Sequence, residues 1–319
     1  MVGQHAGPVT DSNLILSLLP AVLFVNPAAG GGRALSCLAR IRHIFEAARF
    51  PAEFITTANV DELQARARAA IKDGKRLLLA LGGDGTLQGL VNAAYGADVI
   101  LGILPGGGGN DFADALGLPH EGAAAARAIL TGQPRWVDVA RARMADGHER
   151  LYVGGGGLGI DAEAARHARG ALRRLPGRAR YIVSALRALC SYRPPKVRAE
   201  FPQSDLPPIE MNALLAAVLN TATYGAGIRL APEARIDDGW LDFAMLEERS
   251  LASTLGLLPG LLRNGELHTT RMKRVRAQKI RLSSSPECMF HGDGEILGPT
   301  PVEIEVVPQA VRVLAPAQI

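Results

Sequence analysis

Cysteine is scarce in this chain: Cys37, Cys190 and Cys288 are the only three in 319 residues, an odd number without metal-ligand spacing. That argues against a disulfide framework or a zinc site and for a reducing compartment, the cytoplasm. Signal-peptide chemistry is also lacking. The N-terminal apolar run Leu14 to Val25 has no Lys or Arg before it, contains Pro20 and is too short to cross a bilayer. It reads as a short lead-in helix or coil followed by a first strand, Ala21 to Val25. The phosphate-loop recipe G-x-x-x-x-G-K-[ST] is missing, because the only Gly-Lys pair, Gly74-Lys75, is followed by Arg76. Acid is missing from one long stretch. Between Glu163 and Glu200 stand ten basic residues (Arg166, Arg169, Arg173, Arg174, Arg178, Arg180, Arg187, Arg193, Lys196 and Arg198) and no Asp or Glu. The whole chain carries only +4, so the remainder is net acidic. Two readings of this stretch stay open: a solvated helical face, or attraction to an anionic membrane surface. With aromatics at 5%, nucleic acid is not an expected partner.

What is present is ample apolar material, 48% of a chain longer than one typical domain, which predicts two domains sharing a cleft. The first part alternates: strands at 21–25, 52–56, 77–81 and 99–103, helices at about 34–49, 61–73, 86–95 and 121–131. That rhythm predicts a doubly wound parallel sheet with helices on both faces. After Pro134 come short β-branched or alternating runs at 136–143, 150–154, 196–201, 212–219, 240–246, 278–283, 302–306 and 310–314. Helical stretches near 161–170, 178–191 and 251–263 interrupt them. The expectation is an α/β domain over 1–138 and a mainly antiparallel β-sandwich over 139–304, with residues from about 305 to 319 returning to the first domain.

Three glycine-rich turns follow strands of the first part: Asn26-Pro-Ala-Ala-Gly-Gly-Gly-Arg33, Gly82-Gly-Asp-Gly-Thr86 and Pro105-Gly-Gly-Gly-Gly-Asn-Asp111. In a doubly wound sheet they lie outside the carboxyl ends of the strands, where ligands bind. Glycine lets a ligand approach the backbone, and the N–H groups opening a helix favour an anion. A single such turn is more often a tight connection; three at one edge favour a phosphate site. Gly154-Gly-Gly-Gly-Leu-Gly159 also satisfies G-x-G-x-x-G, but Arg173 and Arg174 stand where the dinucleotide fingerprint places an acid about 20 residues on. Backbone bending near a cleft is the favoured reading of it. Asp84, Asp111 and Asp138 fall at or beyond the ligand edge. Each alone reads as a cap or turn residue, and together they could hold a magnesium ion. Asp84 is expected to act through a cation and not as a cap. Late in the chain, His291-Gly-Asp-Gly-Glu295 is either a plain turn between strands or a turn aiming acids across the cleft at Gly82 to Thr86.

The motifs Asn26-Pro, Gly82 to Thr86, Asn110-Asp-Phe-Ala113, Arg229-Leu-Ala-Pro232, Asp237-Asp-Gly239 and Asp293-Gly-Glu295, in that order, resemble the diacylglycerol kinase catalytic family, especially the bacterial soluble lipid kinases. The resemblance runs from about residue 20 to 315. It implies a nucleotide-binding α/β domain, a β-sandwich lipid domain, and ATP with Mg2+ in the cleft, in an enzyme of phospholipid metabolism peripherally attached to the membrane. Carried onto this chain, it makes Asn26, Thr57, Gly82, Gly83, Asp84, Gly85, Thr86, Gly107, Asn110 and Asp111 nucleotide contacts. Asp84, Asp111 and Asp138 become an acidic magnesium and water network, and Glu295 the general base, preferred over Asp293 also for its longer reach. A structural Mg2+ is implied at the Asp238 side chain and the carbonyls of Arg235 and Trp240. Two positions depart from the family: Gly108 stands where a Thr is usual, and Gly154 where an Asn is usual. The implied reaction is transfer of the γ-phosphoryl of ATP to a lipid hydroxyl. An NAD kinase shares the Gly-Gly-Asp-Gly-Thr turn, but not the Asn110-Asp-Phe-Ala and Asp293-Gly-Glu segments. A non-catalytic lipid or nucleotide sensor is the rival from another class. The acceptor lipid is not legible, and a homodimer is left open.

Overall fold

The computed structural model describes residues 19–160, 192–225, 227–267 and 269–317. The helical stretches expected near 161–170 and 178–191, residues 14–18 of the lead-in, Cys190 and most of the basic stretch lie outside the described residues. Of that stretch, Lys196 is described 2.6 Å from Glu210, and Arg198 3.0 Å from Glu200.

The first domain is built on parallel strands β1 (Ala21–Val25), β2 (Ala52–Thr56), β3 (Leu77–Gly82) and β4 (Ile100–Pro105), side by side in the order β2-β1-β3-β4. Every residue of β1, β3 and β4 is buried, which is why these runs are continuously apolar with no alternation. Helices α1 (Arg33–Ala47), α2 (Val60–Lys72), α3 (Asp84–Ala94), α4 (Asp111–Ala115) and α5 (Gly122–Leu130) follow. The chain leaves β1 in one direction and β2 in the other. Right-handed crossovers therefore place α1 and α2 on opposite faces, where α1 packs with α5 and α2 with α3. Helix α2 shows how the sequence sets its own limits. Asn59 caps it by accepting the Glu62 N–H at 2.9 Å, Glu62 reaches back to the Ala58 N–H, and Leu63, Ala67 and Ala70 form its buried stripe.

The second domain is a sandwich. One layer holds β5 (Gln133–Met144), β6 (Glu149–Tyr152), β8 (Lys196–Glu200), β12 (Lys279–Ser285) and β15 (Val302–Ala315). The other holds β7 (Gly155–Gly159), β9 (Ile209–Leu219), β10 (Leu241–Glu247), β11 (Met272–Ala277), β13 (Met289–Gly292) and β14 (Glu295–Pro299). Tyr152, Phe201, Phe243, Met245, Ile280 and Phe290 meet between the layers, and pairing of β8 with β9 carries the hydrogen bonding around the corner. The helical stretch expected at 251–263 is two short helices, α6 (Leu251–Leu255) and α7 (Leu258–Asn264).

Three features of this arrangement bear on the site. The runs 302–306 and 310–314 are one strand, β15, with a register shift between Val307 and Val311 where Gln309 takes a φ of 47°. This strand pairs antiparallel with β5 and β12 and parallel with β4, so the two sheets are hydrogen-bonded into one. The segment around His291 to Glu295 is the tight connection of a β13–β14 hairpin at the sheet's end. And the bending expected over Gly154 to Gly159 is confined to Val153 and Gly154: Gly155–Gly159 is strand β7, between β9 and β13. Its glycines have a packing reason, since a β-carbon on Gly155 would stand 2.7 Å from Leu219 and Tyr224, and one on Gly156 2.7 Å from Phe290.

Leu79 sits at the centre of β3 with 0% exposure and covers Gly102 of β4, where a β-carbon would stand 2.6 Å from the Leu79 Cδ2. Leu79→Ala therefore leaves a cavity between strands and helices and is expected to cost about 2–5 kcal/mol in urea unfolding. A loss near zero would show that this core is not close-packed.

Candidate active site

Strands β1, β3 and β4 are neighbours, so the three glycine turns that follow them meet at one edge. The hydrogen bonding of the sheet continues into them: the Asn26 N–H donates to the Leu81 carbonyl at 3.0 Å, and the Gly106 and Gly107 N–H groups both donate to the Gly82 carbonyl, at 2.7 and 3.1 Å. Contact between the turns is backbone on backbone. A β-carbon at Gly107 would stand 2.5 Å from the Gly83 Cα, and one at Gly30 2.2 Å from the Gly106 carbonyl oxygen. Asn26 Nδ2 donates to Thr86 Oγ1 at 3.2 Å, which ties the first turn to the second. Asn110 adopts the left-handed conformation, φ 68°, so that its Oδ1 accepts the Gly107 N–H at 3.0 Å and closes the third turn. Thr57, at the end of β2, continues the same edge through its N–H to the Val25 carbonyl and is buried.

The acids come from three segments. Asp84 opens α3, and its two oxygens accept the N–H groups of Asp111 and Phe112 at 3.0 and 3.1 Å. Asp84 thus caps the start of α4 instead of its own helix. Asp111 Oδ1 accepts the Gly227 N–H at 2.9 Å. Asp293, at φ 49°, reaches from the β13–β14 connection to accept the N–H groups of Val153, Gly154 and Gly155, at 2.7, 2.9 and 3.2 Å. This gives Gly154 a reason: any β-carbon there would stand 3.0 Å from Asp293 Oδ1. Burial, and then the charges of Asp111 and Asp293, push the Asp84 carboxyl well above the usual carboxylate range. Burial raises Asp293 to about 7 against the lowering effect of its three amides, with Asp111 adding to the rise. Glu295 opens β14 exposed to solvent and faces the second turn: a β-carbon at Gly85 would stand 3.2 Å from the Asp293 carbonyl oxygen and 3.7 Å from Glu295 Oε1. Gln88 of α3 adds a tie, donating to the Gly292 carbonyl at 3.2 Å. The hairpin therefore lies against the second glycine turn and is tied to α3 by one hydrogen bond.

Residues 20–142 match the model of the diacylglycerol kinase catalytic domain, and residues 156–315 that of the YegS C-terminal NAD kinase beta sandwich-like domain. The chain belongs to the diacylglycerol kinase family. It is 29% identical over 298 residues to a diacylglycerol kinase of Mycobacterium tuberculosis, covering 91% of this chain and 93% of that one. To a diacylglycerol kinase of Bacillus subtilis it is 28% identical over 302 residues, covering 93% and 97%. Among solved structures, a diacylglycerol kinase from Bacillus anthracis has the same fold, with a TM-score of 0.69 at 23% identity over 93% of this chain and 97% of that one. The chain is a lipid kinase, and no helix among its described residues is long and apolar enough to cross a membrane.

Two expected sites of this kinase are built differently from the expectation. The Asp138 carboxylate has partners of its own. It is 1% exposed on β5, and its oxygens accept the N–H groups of Gly239 and Gln309 at 2.7 and 2.8 Å, which makes it an anchor for the 236–239 turn and for the irregularity in β15. Asn220, which the sequence did not single out, lies beside it, fully buried, with Nδ2 donating to the carbonyls of Asp138 and Val153 at 2.9 Å each. The only sequence signal for it is that an apolar run stops at Asn220-Thr221 just before Gly225 and Gly227. The turn from Arg235 to Trp240, expected to hold a structural magnesium ion, has its carboxylate already engaged. Asp238 Oδ1 accepts the Trp240 N–H at 3.2 Å, and Oδ2 takes the Arg276 guanidinium. Arg276 also lies 3.5 Å from Asp242 Oδ2 and over the Trp240 ring, 5.8 Å from its centroid. A dication would have to displace this cation, so the residues do not fit the metal.

Among the described residues no three His, Cys, Asp or Glu side chains form a ready-made metal cage. For the crowded acids Asp84, Asp111 and Asp293 the donor set nevertheless suits a hard cation. All are oxygen ligands, and Mg2+ commonly takes one or two carboxylates and completes its shell with phosphate and water. At the 235–240 turn, EDTA is expected to leave the thermal midpoint unchanged, while Arg276→Gln lowers stability by up to about 1 kcal/mol. An EDTA-induced drop that Asp238→Asn abolishes would put a metal back at that turn.

Proposed function

We propose that this kinase transfers the γ-phosphoryl group of ATP to a hydroxyl of a diacylglycerol-like lipid in the cleft between its two domains, with Glu295 as general base. The observation that carries the reading is the packing of the Asp293 to Glu295 turn on Gly85, which aims a carboxylate from the sandwich at a phosphate-type turn of the α/β domain. Names of relatives support the lipid as acceptor: those of Mycobacterium tuberculosis and Bacillus subtilis are called diacylglycerol kinases.

In this reading the polyphosphate lies along the glycine turns at Asn26, Gly82 to Thr86 and Gly107 to Asn110, with the first N–H groups of α3 directed at it. Thr57 borders the nucleotide at the end of β2. Magnesium bound with the nucleotide would be held by Asp84 and Asp111 and would neutralise charge on the transferring group. The lipid oxygen forms a bond to phosphorus as the bond from phosphorus to the bridging oxygen of ADP breaks, and the hydroxyl proton passes to Glu295. Glu295 suits that task better than Asp293. It is exposed and its side chain forms no hydrogen bond among the described residues, whereas the Asp293 oxygens are taken up by three backbone amides. Asp293 is the positioning residue that fixes the turn carrying Glu295. Arrival at an anionic bilayer through the basic stretch from Arg166 to Arg198 completes the reading.

Purified protein incubated with γ-labelled ATP, Mg2+ and vesicles containing a panel of lipids is expected to transfer label to a lipid bearing a free hydroxyl. Glu295→Gln should lower that transfer by about 10²-fold or more while leaving calorimetric ATP binding intact. Label that stays on nucleotide with every lipid, or full transfer by the Gln variant, would defeat the acceptor and the base assignments respectively.

A further inference from the structure

Part of the third glycine turn's donor set is already used. Gly106 N–H is taken by the Gly82 carbonyl, and Gly107 N–H is shared between that carbonyl and Asn110 Oδ1. The N–H groups of Asp111 and Phe112 are held by Asp84. Gly108 and Gly109 bring no side chain, so no hydroxyl or cation comes from the turn itself. What it does bring is negative charge, at Asp111 and through its contact with Asp84. A polyphosphate laid beside these carboxylates and their magnesium ion gains from a further cationic donor.

The first turn delivers one. Gly30, Gly31 and Gly32 all take left-handed φ, at 60°, 72° and 99°, a run that only glycine adopts readily. It folds the chain back so that Arg33, the first residue of α1, donates from Nη2 to the Gly107 carbonyl. The guanidinium lies in the gap between the first and third turns: a β-carbon at Gly30 would stand 2.7 Å from Arg33 Nε and 2.2 Å from the Gly106 carbonyl oxygen. The residue stays exposed at the ligand edge. An arginine has five N–H donors in a rigid fork matched to phosphate oxygens, and one suffices for Gly107.

We propose that Arg33 is a phosphate-binding residue of this kinase, its guanidinium braced on the Gly107 carbonyl and its remaining donors holding the nucleotide's terminal phosphates against the third turn. This rests on the reading that ATP occupies the glycine turns. It assigns to a side chain of the first turn the donor role that the Gly108 position cannot fill.

The test is calorimetry with ATP and ADP in Mg2+, and saturation-transfer NMR with adenosine, on the parent protein, Arg33→Gln and Arg33→Lys. Loss of a charged hydrogen bond predicts that Arg33→Gln binds ATP about 10-fold or more weakly, with adenosine binding unchanged. Arg33→Lys, which keeps the charge but not the fork, should fall in between, and it decides the matter if Arg33→Gln melts early. Equal ATP affinity in parent and variants would overturn the proposal. So would an equal loss of adenosine binding, which would make Arg33 a loop brace only. If the parent itself binds no ATP, the nucleotide reading falls and this inference with it; if only the variants are unaffected, this inference falls alone.

Discussion

Backbone meets backbone at the centre of this kinase, with no room for one extra carbon between its glycine turns. The approach of Gly107 to Gly83, and of Gly30 to Gly106, is closer than any other residue type permits. Everything at the ligand edge is set by that approach. It brings the start of α4 within reach of Asp84 at the start of α3, and it leaves the Gly82 carbonyl bonded to two amides of the next turn. The glycines are therefore a packing requirement first, and open the way to a ligand second.

The acids around this edge are also ties. Asp84 joins the second turn to the third, Asp111 joins the third to the loop at Gly227, and Asp293 joins the hairpin connection to the strand end at Val153. Each carboxylate accepts N–H groups from a distant segment, so the partial positive charge of backbone dipoles offsets part of the cost of crowding three acids. Loss of any one of them acts on the shape of the cleft and on its charge together. Glu295 is different: it is exposed and carries no such structural duty among the described residues.

Much of this was legible in the sequence, because its strongest signals are local. Continuous apolar runs marked β1, β3 and β4, the 3.6-residue stripe marked the helices, and the order of the glycine turns marked the ligand edge. The failures have a common physical cause. Whether Asp138 faces the cleft or a neighbouring turn depends on which way one strand residue points relative to Gly239 and Gln309, segments 101 and 171 residues away. Strands β13 and β14 have four and five residues, too few for a periodic pattern. Strand β11, rich in Lys and Arg, shows no regular apolar alternation because two neighbouring residues, Lys273 and Arg274, are both exposed. The helix α4 spans only five residues and depends on a cap supplied by Asp84, far away in sequence. The departure at Gly154 has its reason in Asp293, 139 residues away, whose Oδ1 a β-carbon there would approach to 3.0 Å.

Strand β15 is the last element of the described chain, yet it is the neighbour of β4, one of the first strands to be made. During synthesis the α/β sheet consequently has an open edge formed by a strand whose every residue is buried in the finished protein. That edge stays open until Ala315 has left the ribosome. An uncovered apolar strand of this kind is a template for wrong pairing, in the same chain or between chains. The first domain thus cannot finish as an independent early unit: the closing strand of the whole molecule is also the one that completes its beginning.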